Sequence, residues 1–198
     1  MKNKQIRVLT GTAMLTAVGV VLQYLEIAIP IIPSFIKLDF SDLPDLIGAF
    51  AYGPVAGVII CLLRNLIHMA VSQSGFVGEL SNFILGSTFV LVAGLIYKKN
   101  KTKKGAVIGG ISGAAAMAAV ALPLNYFVIY PLYYNVIGIP EPVVLEMYQV
   151  ILKSVKNIFE GILIFNVPFT FVKALISVVI STIIYKPLSP LLKGKQSS

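Results

Sequence analysis

The sequence predicts an all-α integral membrane protein, a single domain over residues 1–198 with six transmembrane helices, and three observations carry that reading. First, 57% of residues are hydrophobic and only 12% charged, with a mean hydropathy of +0.89, which is too apolar for an ordinary soluble domain. Second, apolar segments recur as far as Tyr185, whereas a secretory signal would show one short run ahead of a polar chain. Third, the basic residues cluster at segment boundaries. Lys2, Lys4 and Arg7 precede the first segment, Lys98, Lys99, Lys101, Lys103 and Lys104 lie between two middle ones, and Lys186, Lys193 and Lys195 follow the last. None of these stretches contains an acid, so the positive-inside rule places both termini and the Lys-rich loop in the cytoplasm. The net charge of +8 therefore reads as contact with membrane lipids at the boundaries, and not as a nucleic-acid surface.

The first helix is expected over 8–29. Ala13 and Ala17 stand four apart in it, with Thr12 and Thr16 alongside, a small-residue face that permits close helix approach inside this chain or to another. An outer loop follows and carries Lys37, Asp39 and Phe40 into a second helix over 42–53. Ser41 or Asp42 caps that helix and Asp45 sits in its first turn, where unpaired N–H groups favour carboxylates. At this length it cannot span alone. Gly53-Pro54 breaks it from the third helix, 54–72, so the pair reads as a bent hairpin buried among the others. The antiparallel run puts Arg64 at the depth of Asp45, and a structural ion pair between them is expected, because intramembrane charges pair or face a cavity. His68, one turn on, reads as a core or interfacial histidine.

The fourth helix is placed over 80–97 with Glu79 at its outer start, and the fifth over 105–130 with Asn125 in its outer half. The connection 131–157 repeats Val144, Met147, Ile151 and Val155 at helical spacing, which suits an interfacial helix or lid on the outer face. The sixth helix, 158–185, presents Asn166, Thr170 and Lys173 along one face, a stripe open to two readings, a polar ligand or interhelical hydrogen bonds. Six crossings return the C-terminus to the cytoplasm.

Several chemistries find no support. One His and one Cys cannot build a zinc site, no phosphate-binding GxxxxGK[ST] loop occurs, and no Ser/His/Asp spacing suggests nucleophilic catalysis. An enzyme is not expected, and uphill transport would draw its energy from a partner or an ion gradient.

Together these segments resemble the substrate-binding S components of energy-coupling factor (ECF) vitamin transporters, among them the riboflavin-specific ones. The resemblance rests on Ala13-xxx-Ala17, "LDFSDLP" at 38–44, "YGPVAGVI" at 52–59, "NLIH" at 65–68, "GELSNFILGS" at 78–87, "LNYFVIYPLY" at 124–133 and "PFTFVKALI" at 168–176. It implies a subunit of the prokaryotic plasma membrane that captures riboflavin, with FMN as a second ligand, from outside. Delivery would go through a transmembrane coupling protein and two ATPase subunits. It further implies docking through Ala13 and Ala17, closure of the site by Asp39 and Phe40, and polar ligand contacts from Glu79, Asn125 and Lys173. Thr170 departs from the family's usual Asn, and Asn166, one turn outward, is expected to compensate. The alternatives are the same architecture for another vitamin, a stand-alone membrane transporter, or a membrane enzyme.

Overall fold

The structure is a computed structural model and describes residues 2–33, 35–72 and 74–193. Lys195 and the side chains of Lys2, Lys4, Lys186 and Lys193 lie outside the described residues. Among the described residues, five helical runs are long and apolar enough to cross a membrane: Gln5–Tyr24, Pro54–Val71, Val77–Lys99, Lys103–Ile137 and Ile158–Tyr185. Their outward faces carry exposed Leu9, Val21, Phe127 and Ile183, the pattern of helices whose solvent is lipid.

Helix α1 (Lys2–Tyr24) stops five residues short of the expected boundary. Pro30 disfavours helix at the residue before it, and the chain instead forms a two-residue strand β1 (Ile27–Ala28) paired antiparallel with β2 (Lys37–Leu38). Helix α2 (Asp42–Tyr52) spans about 16 Å at 1.5 Å per residue and is buried along nearly its whole length. The capping expectation does not hold, because Ser41 makes no side-chain cap bond and its hydroxyl turns to Asp39, while the Asp42 carboxylate turns to Arg64. Gly53 joins α2 to α3 (Pro54–His68) with φ +108, a conformation that L side chains rarely adopt.

Helix α4 (Val77–Lys99) begins three residues earlier than expected, so Glu79 stands within its first turn. Helix α5 (Lys103–Leu124) does not end near residue 130. It continues through a π-helical turn Asn125–Ile129, a short α6 (Tyr130–Leu132) and a second π-helical turn Tyr133–Ile137. Pro123 and Pro131 each remove a helical donor and crowd the preceding carbonyl, which a wider turn relieves. Helix α7 (Glu141–Gln149) is shorter than the expected amphipathic segment, and the inward residues are Val144, Tyr148 and Val155 instead of Met147 and Ile151. Helix α8 (Ile158–Gly161), a π-helical turn Ile162–Asn166 and α9 (Val167–Lys193) complete the chain.

The main core lies where α2, α4, α5 and α9 meet, around Leu46, Phe50, Phe89, Met117, Ala174 and Val178. Glu79, at the start of α4, and Lys98 and Lys99, in its last turn, are separated by about 30 Å of helix. The candidate site and the lysine loop therefore occupy opposite ends of the bundle.

Candidate functional site

A cavity of about 550 Å³ opens at the Glu79 end. The β1–β2 loop, the ends of α1, α3 and α5, the start of α4 and the first turns of α9 surround it, and Leu85, Met117, Ile129 and Phe169 give it apolar walls. A few polar groups converge on it in two clusters.

The first cluster centres on Lys173, 7% exposed. Its ammonium donates to Asp39 Oδ2 at 2.8 Å and lies 3.4 Å from Asp42 Oδ2. Asp39 also accepts from the backbone N–H of Ser41 at 2.8 Å. Burial would raise the Asp39 pKa, but Lys173, Arg64 and the hydrogen bonds from Lys173 and Ser41 bring it down to about 2, so it is ionised at neutral pH. Behind it, Arg64, with no solvent exposure, donates through Nε to Asp45 Oδ2 at 2.8 Å, through one terminal nitrogen to Asp42 Oδ1 at 2.8 Å and through the other to Gln23 Oε1 at 3.0 Å. The planar fork of a guanidinium directs its donors at three acceptors in fixed directions. Gly86 makes room for it: a Cβ there would lie 2.8 Å from Cys61 Sγ and 3.3 Å from Asp42 Oδ1.

The second cluster holds Glu79. Its Oε1 lies 2.8 Å from His68 Nδ1, and its Oε2 accepts from Ser72 Oγ at 2.7 Å and Ser74 Oγ at 3.2 Å. The Tyr24 ring packs on His68 with centroids 5.3 Å apart, tying this cluster to the end of α1. At the cavity mouth Lys37 pairs with Glu26.

A third set of groups joins α7 to the cavity wall. Tyr148 of α7 donates to Asn166 Oδ1 at 2.6 Å, Asn166 donates to the Tyr130 hydroxyl at 3.1 Å, and the two tyrosine hydroxyls bond each other. Phe35 of the β1–β2 loop meets both tyrosine rings edge-on, at 6.2 and 5.7 Å. Burial pushes the Tyr148 phenol above its usual range, so it remains a neutral donor.

Of the residues singled out in the sequence, Asp39, Glu79, Asn125, Asn166, Thr170 and Lys173 all line the cavity. Asn125 directs one amide hydrogen to Ala121 O at 2.7 Å. Asn166 has one amide hydrogen and one lone pair engaged by the tyrosines, which leaves one of each. Phe40 is not among the residues that line the cavity. Phe35 does line it. Asp45 and Arg64 lie behind the cavity wall, and Ala13 and Ala17 sit on the outward face of α1, away from it. Sequence reasoning passed over Tyr130, Tyr148, Ser72 and Ser74, which come from segments without polar periodicity. His68 was legible through its four-residue spacing from Arg64, but its partner was not.

The sequence matches the family described as ECF transporter, substrate-specific component, over residues 7–185. Among characterised relatives, the riboflavin transporter RibU of Staphylococcus aureus (strain TCH60) is 34% identical, covering 96% of this chain and 94% of that protein. The riboflavin transporter FmnP of Bacillus subtilis (strain 168) is 30% identical with 98% of each covered. A solved S component of a bacterial ECF transporter superposes with a TM-score of 0.74 at 33% identity, covering 98% of this chain and 99% of that one.

Proposed function

Because the chain belongs to the family of ECF transporter substrate-specific components, we propose that it captures riboflavin at this cavity and delivers it through the transmembrane and ATPase subunits that such components serve. It is a multi-pass protein of the cell membrane and a transport component, not an enzyme. The observation that carries the ligand assignment is the composition of the cavity. A volume of about 550 Å³ is within the roughly 300–1,000 Å³ of small-molecule sites, and its apolar walls carry placed polar groups at two separate edges. A flavin is a flat apolar ring with a hydrogen-bonding edge, continued by a chain of hydroxyls. Asn125, Thr170 and Lys173 suit the ring edge, and Glu79, an acceptor anchored by His68, Ser72 and Ser74, suits the hydroxyls.

Riboflavin is cargo here, with no resident cofactor required. Lys37 and Lys173 are both already paired with carboxylates, Glu26 and Asp39. The phosphate of FMN would compete with those acids, so FMN is the weaker cargo. The β1–β2 loop and the segment around α7 serve as the outer cover, with Phe35 and Tyr148 as their points of contact. Both termini and the loop at 98–104 face the cytoplasm, and Ala13 and Ala17 dock the transmembrane partner. Energy from the ATPases acts by favouring a state of the complex in which this site holds riboflavin less tightly.

The test is a titration of the detergent-purified protein with riboflavin, read by quenching of flavin fluorescence and compared with a panel of other vitamins. Saturable quenching by riboflavin, weakened in Glu79→Gln, is the expected result. Saturation by another vitamin and not by riboflavin would keep the fold and overturn the ligand.

A further inference from the structure

Three carboxylates and two cations form one buried cluster. Asp39, Asp42, Asp45, Arg64 and Lys173 are all at most 7% exposed, and with every group ionised the cluster carries a net charge of −1. Only Asp39 and Lys173 face the cavity. Asp42 stands between the two halves, with Oδ1 2.8 Å from an Arg64 nitrogen and Oδ2 3.4 Å from Lys173 Nζ. The latter oxygen is buried and has no hydrogen-bond partner. The Lys173 ammonium stands at ion-pair range from it.

A lysine side chain ends in a compact charge on four rotatable carbons, and nothing in its own geometry fixes where that charge sits. Here two carboxylates determine it. Asp39 lies in the short link between β2 and α2, whereas Asp42 is in the first turn of α2, whose position Arg64 ties to α3 and, through Gln23, to α1. Asp42 thus offers the ammonium a reference fixed to the helix bundle, while Asp39 offers one on the link that leads from β2 into α2.

We propose that Asp42, outside the ligand cavity, is a positioning residue that holds the Lys173 ammonium in register for the flavin, with Arg64 fixing Asp42 in turn. The proposal rests on Lys173 contacting the ligand, as the proposed function has it. Asp42→Asn is the direct probe. It preserves shape and lowers the charge of a cluster that already has one carboxylate in excess, and Arg64 and Lys173 each keep a partner.

The experiment is a double-mutant cycle read by riboflavin fluorescence quenching, with melting followed in parallel. Asp42→Asn is expected to weaken riboflavin binding roughly tenfold with melting preserved. In a Lys173→Met background the same change should alter affinity by less than about twofold, because the residue it acts through is gone. Wild-type affinity in Asp42→Asn would overturn the proposal. So would an affinity loss of equal size with and without Lys173, which would mark Asp42 as a structural residue only. Lys173→Met with undiminished binding would overturn the ligand-site reading itself, a separate outcome from the failure of Asp42. Should Asp42→Asn not yield folded protein, Asp42→Glu, which retains the charge but shifts it by one methylene, is read through the same cycle.

Discussion

Arg64→Met tests whether the buried charges hold the short helix in place. The side chain is replaced by an apolar one of similar length, so packing is largely kept while the guanidinium is removed. Arg64 donates to Asp45, Asp42 and Gln23 at 2.8, 2.8 and 3.0 Å with no solvent exposure. Without it Asp42 retains only Lys173 at 3.4 Å, Asp45 loses its ion-pair partner, and the cluster moves from −1 to −2. Breaking a buried pair by removing one partner costs about 3–5 kcal/mol. At about 2–4 °C per kcal/mol for a chain of this size, the melting temperature should fall by on the order of 10 °C. The chain has no Trp, so melting is best followed by far-UV circular dichroism in detergent. Adding Asp45→Asn to Arg64→Met removes the stranded carboxylate and should recover part of the loss. An Arg64→Met protein melting within about 2 °C of wild type would refute the view that this ion pair fastens α2 to α3.

Three further outcomes follow from the same geometry. Asp39 has a lowered pKa, so its contribution to stability is complete above its unfolded value of 3.8 and is lost as pH falls toward about 2. In Lys173→Met burial is opposed far less, the carboxyl's pKa rises, and its contribution should instead weaken as pH rises through the new value; melting from pH 3 to 8 compares the two, and parallel profiles would contradict the pairing. Tyr148→Phe removes the hydroxyl that donates to Asn166 at 2.6 Å and should speed riboflavin release roughly tenfold in a stopped-flow chase, while an unchanged rate would mean that α7 is not part of the cover. Ala13→Trp enlarges the outward face of α1 and should abolish vesicle uptake driven by the ATPase partners while leaving binding intact; loss of binding in the isolated protein would contradict its assignment to docking.

What the sequence by itself determined was whatever depends on local chemistry. Hydropathy sets the membrane class, because a segment of about 20 apolar residues has few other places to be. Pro54 after Gly53 marks the break between α2 and α3, and antiparallel depth brings Asp45 opposite Arg64. Spacing of three or four residues was enough to put Asn166, Thr170 and Lys173 on one helical face. Tertiary structure decided what depends on chains meeting from far apart. Asp42, a plausible cap by position, is drawn away by Arg64 and Lys173, residues 22 and more positions distant, since a buried charge gains more from a counter-charge than an N–H group can offer. Phe35, and not Phe40, lines the cavity, because the β1–β2 pairing folds the segment between the strands over it. Tyr130 and Tyr148 read as apolar residues along the chain, and they join Asn166 in one hydrogen-bonded set only when α7 folds back over the bundle, where a buried hydroxyl must find a partner.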